Sequence, residues 1–201
     1  MIAIIKYNAG NVQSVQYALQ RIAVEAVVTD DVATIQQADK VIFPGVGHAN
    51  AAMEYLKERR LDNIIRELKQ PVLGICLGMQ LLCNYSAEGD TQCLEVFDTD
   101  IKLFSPPPSG EAGRGAKVPQ VGWNNIYDYR SALFEGLAGN AFVYSVHSYY
   151  AAVSTDTIAK TDYILPYSAA LQKNNFYGVQ FHPEKSGIVG EMILQNFIKN
   201  T

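Results

Sequence analysis

The segment Pro71-Val72-Leu73-Gly74-Ile75-Cys76-Leu77-Gly78 constrains this chain more than any other stretch. Its short apolar run reads as a buried strand, and a cysteine with glycines two before and two after it reads as a tight strand-to-helix turn. Side chains at Gly74 and Gly78 would collide inside such a turn, so glycine lets it close. A helix that must follow a buried strand directly commits the chain to layered α/β packing. The turn also displays the residue at its apex, which makes Cys76 a candidate nucleophile. A thiol attacks as its thiolate, so Cys76 needs a proton acceptor and a field favouring negative charge. The N-terminus of the following helix would supply that field.

The rest of the first half repeats the alternation of strand and helix. Met1-Ile2-Ala3-Ile4-Ile5 predicts a buried strand, and after a turn at Asn8-Ala9-Gly10-Asn11, Val12, Val15, Leu19 and Ile22 follow with helical spacing. Glu25 to Val28 and Lys40 to Phe43 predict two more strands, the latter stopped by Pro44-Gly45. A helix is predicted over much of 50–68, and Met79, Leu82 and Cys83 begin the apolar face of the helix after Cys76. In the second half the apolar runs at 96–104, 141–146 and 169–181 predict antiparallel strands, with a hairpin turn at Lys173-Asn174-Asn175-Phe176. Val189, Ile193 and Phe197 predict a closing helix with one face on the sheet. The expected fold is therefore α/β, an open mixed sheet with a parallel core flanked by helices and antiparallel strands in the second half. Residues 105–115, rich in Pro and Gly, read as a surface loop, and nothing reads as a linker, so one domain is expected over 1–201.

A formal net charge of -4 with mixed signs gives no basic footprint for nucleic acid and no polybasic segment for a membrane. The N-terminus is too short in apolar residues for a signal peptide, so a cytoplasmic protein is expected. Cys76, Cys83 and Cys93 lack paired spacing; Cys83 reads as a small buried residue and Cys93 as incidental. His48, His147 and His182 are dispersed without a carboxylate cluster, so neither a metal nor a cofactor is expected.

Phe181-His182-Pro183-Glu184 supplies what Cys76 lacks. Proline holds the backbone between the two side chains, so His182 can face the thiol while Glu184 holds its other ring nitrogen. Read alone, His182 is equally a capping or buried histidine and Glu184 an acidic residue near a helix start. Acyl transfer also needs donors for a developing oxyanion. In Pro44-Gly45-Val46-Gly47 an amide of Val46 or Gly47 could serve, with the Leu77 amide as the second donor, and such a turn would have to rearrange if its amides point elsewhere. His147 competes as a base but has no carboxylate two residues on, and His48 reads as a surface or helix-start residue.

With Gly74-Ile75-Cys76-Leu77-Gly78-Met79-Gln80 and Phe181-His182-Pro183-Glu184 in place, the chain resembles the class I, triad-type glutamine amidotransferases, whose fold is flavodoxin-like. Val121-Gly122-Trp123-Asn124, Tyr144-Ser145-Val146-His147-Ser148-Tyr149 and the run from Asn175 to Gly187 narrow the likeness to glutaminase subunits serving a separate cyclase. The resemblance implies that Cys76 attacks the side-chain amide of glutamine, that His182 passes the proton to ammonia, and that Glu184 orients His182. It implies that Gln80, Glu88, Ser148 and Tyr149 hold glutamine's backbone end, and that Asn11, Trp123, Asn124, Tyr144 and Lys185 face a TIM-barrel cyclase in a heterodimer. That cyclase would turn the ammonia into imidazole glycerol phosphate and an aminoimidazole carboxamide ribotide in histidine biosynthesis. Three positions depart from the family pattern: Lys6 where aspartate is frequent, Gln120 for a frequent histidine, and His48 after the glycine turn. A paralogous amidotransferase pair, a stand-alone cysteine hydrolase and a catalytically silent binding subunit remain as alternatives.

Overall fold

A computed structural model describes residues 1–7, 11–105 and 117–201. The expected turn residues Asn8, Ala9 and Gly10, and the expected surface loop from 106 onward, lie outside the described residues. The first half runs β1 (Ile2–Ile5), α1 (Val12–Arg21), β2 (Ala26–Thr29), α2 (Val32–Gln37), β3 (Lys40–Phe43), α3 (Ala49–Glu58), α4 (Leu61–Glu67), β4 (Val72–Ile75) and α5 (Leu77–Leu81). The second half runs β5 (Tyr85–Ser86), β6 (Thr91–Gln92), β7 (Asp100–Leu103), β8 (Gln120–Ile126), β9 (Ala141–His147), β10 (Tyr149–Ala151), β11 (Thr157–Asp162), β12 (Pro166–Lys173), β13 (Phe176–Val179) and α6 (Gly187–Asn200). Short 3-10 turns cover Ala132–Phe134 and Pro183–Lys185.

A seven-stranded sheet forms the centre, in the order β11-β12-β13-β4-β3-β1-β2. Strands β13, β4, β3, β1 and β2 are parallel, whereas at one edge β12 runs antiparallel to β13 and β11 antiparallel to β12. β1, β3, β4 and β13 are buried almost throughout, as strands covered on both faces must be, and this accounts for their continuous apolar runs. One apolar cluster lies under α3, α4 and α5 with Phe43, Met53, Leu56 and Phe97; the other lies under α1 and α6 with Leu19, Ile42, Ile193 and Phe197. β10, β7, β5 and β6 make a second sheet, and β8 and β9 pair as a two-stranded ribbon.

Several expectations need correction. The helix expected over 50–68 is two helices, because the chain turns at Arg59-Arg60, where Arg60 takes a left-handed conformation with φ 58°. The helix α2, which the sequence reading missed, starts at Asp31, whose carboxylate accepts from the Thr34 amide at 2.8 Å. The run 96–104 forms only β7, which lies parallel to β5 and antiparallel to β10. The hairpin expected around the turn from Lys173 to Phe176 is present, with β13 antiparallel to β12, but the other side of β13 lies parallel to β4, which makes it part of the central core. α5 ends at Leu81, so Cys83 lies just beyond the helix rather than two turns along it. Cys83 is nonetheless fully buried. Cys93, read as incidental, is a buried core residue whose thiol burial pushes up to about 12.

Candidate active site

The site follows from the register of two neighbouring parallel strands. Val72 to Ile75 pair with Phe176 to Val179, so β4 and β13 end at the same level of the sheet. The amide of Cys76 still donates to the Val179 carbonyl at 2.8 Å, and then the two chains diverge, one into α5 and the other into the 3-10 turn at Pro183. Open α/β sheets place their ligands outside the carboxyl ends of the strands, and this edge carries Cys76 and His182 together.

The turn at Cys76 is strained, with φ 52° and ψ -110°. The surroundings explain how it is held. A Cβ added to Gly78 would stand 1.8 Å from the Phe43 carbonyl oxygen, and one at Gly74 would stand 2.8 Å from the Met79 amide. α5 therefore packs against β3 and β4 backbone to backbone, and only glycine at both positions permits it. Strain of this kind persists where the surrounding packing over-determines it, which is common at reactive residues.

On the other strand end, His182 Nδ1 donates to Glu184 Oε1 at 2.8 Å, and both side chains are buried. The Nε2 atom is buried without a hydrogen-bond partner, and the thiol of Cys76 lies beside the ring without completing one. Burial opposes a charged imidazole here, but Cys76 and Glu184 outweigh it and hold His182 well above its ordinary value. An imidazole fixed by a carboxylate on one side and open on the other can take a proton from a thiol and return it to a leaving group.

The backbone of His182 is clamped to β9. Its amide donates to the Tyr144 carbonyl at 2.9 Å, and the Tyr144 amide donates to Ser186 Oγ at 2.9 Å. Ser186 Oγ in turn donates to the His182 carbonyl at 2.6 Å. Arg21 at the end of α1 ties down the same segment, donating to the Glu184 carbonyl at 3.4 Å and pairing with Glu191 at 2.9 Å.

A pocket of about 290 Å³ opens over Cys76, lined by Val46, Gly47, Leu77, Gln80, Glu88, Pro119, Val146, His147, Ser148 and Tyr149. Every residue expected to hold substrate or an oxyanion thus faces one cavity with the thiol. A wider cleft of about 450 Å³ near Met1, Gln16 and Val27 has no thiol or imidazole in its lining. Two details differ from the expectation. The Leu77 amide is not open to the pocket, since it donates to the Gly45 carbonyl at 3.4 Å. Glu88 does more than line the pocket, because its Oε2 accepts from the Ala49 amide at 2.8 Å at the start of α3.

His147 lines the pocket but has both ring nitrogens engaged: Nδ1 donates to the Tyr149 carbonyl at 2.8 Å, and Nε2 lies 3.2 Å from the Tyr167 hydroxyl. Burial lowers it to about 4, so it is a weak base, and its nitrogens are already occupied. Gln120, which departs from the family pattern, is buried and accepts from the Tyr167 hydroxyl at 2.8 Å. His48 precedes α3 on the surface, as read. Sequence reasoning missed Gln180, which is buried with Nε2 3.7 Å from Cys76 Sγ; its place one residue past β13 and two before His182 was the available signal.

The expected docking residues are partly assembled. Trp123 is 57% exposed, and its ring meets that of Tyr144 edge-on at 6.1 Å. Lys185 Nζ sits 6.0 Å from the centre of the Tyr144 ring, on the side of the same turn that carries His182. Asn124 lies on β8 beside Trp123 but donates its amide to the Asp162 carbonyl at 2.8 Å. Asn11 caps α1 at the end opposite Arg21, and the described residues show no hydrogen bond or ring contact joining it to the other four. Among the described residues no helix is long and apolar enough to cross a membrane, and no three His, Cys, Asp or Glu side chains are grouped to hold a metal.

Comparison with known proteins gives a concordant picture. The family described as glutamine amidotransferase class-I matches residues 4–201. The chain is 58% identical over 198 residues to the imidazole glycerol phosphate synthase subunit HisH of Bacteroides fragilis, covering 98% of each chain. It is 55% identical to the HisH subunit of Bacteroides thetaiotaomicron, again covering 98% of each, and 42% identical to that of Haemophilus influenzae, covering 98% of this chain and 96% of the other. Among solved structures, a glutamine amidotransferase superposes with a TM-score of 0.74 at 16% identity, covering 98% of this chain and 97% of the other. PurLQS from Thermotoga maritima superposes with a TM-score of 0.70 at 15% identity, covering 98% and 96%.

Proposed function

The chain belongs to the class-I glutamine amidotransferases, and from that premise we propose that it is the glutaminase subunit of an imidazole glycerol phosphate synthase, supplying ammonia for histidine biosynthesis. The observation that carries the chemistry is the His182–Glu184 pair at 2.8 Å, with the free face of the ring turned to a cysteine on a strained turn. Cys76 passes its proton to His182 Nε2, and its sulfur attacks the side-chain carbonyl carbon of glutamine. The carbonyl oxygen becomes an oxyanion, His182 returns the proton to nitrogen, and ammonia leaves with a thioester on Cys76. Water, deprotonated by His182, then releases glutamate and restores the thiol. Glu184 keeps the ring oriented throughout. Glu88, Gln80, Ser148 and Tyr149 hold the ammonium and carboxylate end of the substrate in the pocket.

The oxyanion donors are the Leu77 amide and an amide from the turn at Val46 or Gly47. In the present arrangement the Gly45 carbonyl occupies Leu77. Rotation of the peptide plane between Gly45 and Val46 would withdraw that carbonyl and present the Val46 amide instead. This favours a gated enzyme over a stand-alone hydrolase, because a site with a carbonyl where it needs a donor turns over slowly. The chain works as one domain in the cytoplasm, docked through Trp123, Tyr144, Lys185, Asn124 and Asn11 on a TIM-barrel cyclase as a heterodimer. Ammonia released in bulk water would be protonated and lost, which gives gating its purpose.

The test is glutamate release by the purified chain, alone and with a cyclase subunit of imidazole glycerol phosphate synthase and its nucleotide substrate. Slow release that rises by orders of magnitude with the complete system is expected, and Cys76→Ala should abolish release while retaining cyclase binding. Full activity of the isolated chain would instead identify a stand-alone hydrolase, and silence in every condition would overturn the reading.

A further inference from the structure

The residue beside Cys76 across the sheet is not part of the triad. Since Ile75 pairs with Val179, the next residues on the two chains, Cys76 and Gln180, are lateral neighbours. Gln180 is buried, and its Nε2 lies 3.7 Å from Cys76 Sγ. We propose that Gln180 is a further catalytic residue, whose amide N–H donates to the Cys76 sulfur and stabilises the thiolate formed when the proton moves to His182. The inference rests on the reading of Cys76 as the nucleophile.

The direction of this bond is set by a backbone group. Nitrogen and oxygen of a glutamine amide are distinguished only by their partners. The Tyr149 carbonyl can only accept, and it takes a hydrogen from Gln80 Nε2 at 3.2 Å. The same Gln80 nitrogen donates to Gln180 Oε1 at 3.0 Å. With its oxygen so engaged, Gln180 has its NH2 left for the sulfur, and turning it over would set two NH2 groups against each other. The chain from the Tyr149 carbonyl through Gln80 and Gln180 to Cys76 has one consistent orientation. It also runs along the pocket wall, since Gln80 and Tyr149 face the cavity in which glutamine would sit.

The chemical effect follows from charge. An N–H to a neutral thiol is weak, whereas the same donor to a thiolate is charge-assisted, so the bond favours the ionised form. It gives the sulfur a neutral dipolar partner in addition to the imidazole. The titratable groups facing the sulfur are His182, backed by Glu184, with Tyr7 and Tyr167 close enough to sense its charge and His147 and Glu88 in the lining of the same pocket. Gln180 differs from all of these in carrying no proton to exchange, so it keeps its effect at every pH.

The experiment is the alkylation rate of Cys76 by iodoacetamide across a pH series, on the full chain, followed by mass spectrometry of the Cys76 peptide. Cys83 and Cys93 are buried and serve as internal controls. Gln180→Met keeps the length without the donor, and Gln180→Glu keeps the shape while replacing the donor with a carboxylate; thermal melting identifies which variants are folded. Near neutral pH, Gln180→Met should react roughly tenfold more slowly, with Gln180→Glu slower still, as expected for a lost hydrogen bond to a charged group. The profile should move to higher pH, and the rates should converge with wild type in the alkaline plateau. A merely structural role would depress the plateau with the rest of the curve. Profiles unmoved in the folded variants, or lowered equally at all pH values, would overturn the proposal while leaving Cys76 as nucleophile. An unreactive Cys76 in the wild-type chain would overturn the nucleophile reading itself.

Discussion

Replacing Ser186 with alanine should reveal how the docking face is joined to the base. The Ser186 hydroxyl accepts from the Tyr144 amide at 2.9 Å and donates to the His182 carbonyl at 2.6 Å, and it is fully buried. In Ser186→Ala the His182 carbonyl keeps the Lys185 amide at 3.0 Å, but the Tyr144 amide is left without its partner away from water. An unsatisfied buried donor costs about 1–3 kcal/mol, so urea denaturation should show a loss of about 2 kcal/mol. The functional loss should exceed that. Among the described residues two hydrogen-bonded links tie His182 to β9, its own amide to the Tyr144 carbonyl and this hydroxyl, and releasing one lets the ring drift from the thiol. Misplacement of a reacting group by about 1 Å costs up to about 100-fold, and it should appear in kcat with KM for glutamine little changed, because Ser186 does not line the pocket. Steady-state glutamate release with the cyclase present gives both constants. A variant within about 0.5 kcal/mol of wild type and with kcat unchanged would refute the claim that this hydroxyl buckles β9 to the catalytic turn.

Three further outcomes are expected. Trp123→Ala should weaken cyclase binding by roughly 30-fold, the effect of about 2 kcal/mol at an interface anchor, without slowing Cys76 alkylation in the isolated chain; calorimetry and the alkylation assay check each half. Glu88→Gln keeps an oxygen for the Ala49 amide but removes the charge proposed to meet the substrate ammonium, so KM for glutamine should rise about tenfold with the melting temperature held. His147 is neutral when folded at about 4 and ordinary when unfolded at 6.5, so the unfolded chain binds its proton first as pH falls. Its contribution is complete above pH 6.5 and lost on the way down to about 4, amounting to about 3 kcal/mol. Urea midpoints over that range should fall more steeply in wild type than in His147→Gln, and parallel slopes would contradict the assignment.

Much of the fold was legible because its signals are local. The runs of β1, β4 and Val41 to Phe43 of β3 are apolar since both faces are covered, and the glycines around Cys76 mark a turn in which a Cβ added at Gly78 would strike the Phe43 carbonyl. The signal was incomplete where a strand has a second partner: the hairpin of β12 and β13 formed as expected, but its other pairing was not legible. An apolar strand beyond a tight Asn174-Asn175 turn reads as one arm of a hairpin, and nothing in its residues says that its far side lies parallel to β4. The break at Arg60 is not legible because an arginine carries no breaker signal, and the burial of Cys93 depends on neighbours brought from elsewhere.

The sequence by itself determined the strand-turn-helix at Cys76, the alternation that builds a parallel core, and the pairing of His182 with Glu184 across one proline, since each is enforced within a few residues by sterics and periodicity. Only the tertiary structure decided that β4 and β13 end at one level, which sets Gln180 beside the thiol, that Tyr144 on β9 clamps His182 through Ser186, and that the Gly45 carbonyl occupies the Leu77 amide. Those contacts join residues up to 104 positions apart. They depend on strand register and on which hydrogen-bonding groups remain unpaired after packing, and no local run of residues encodes either.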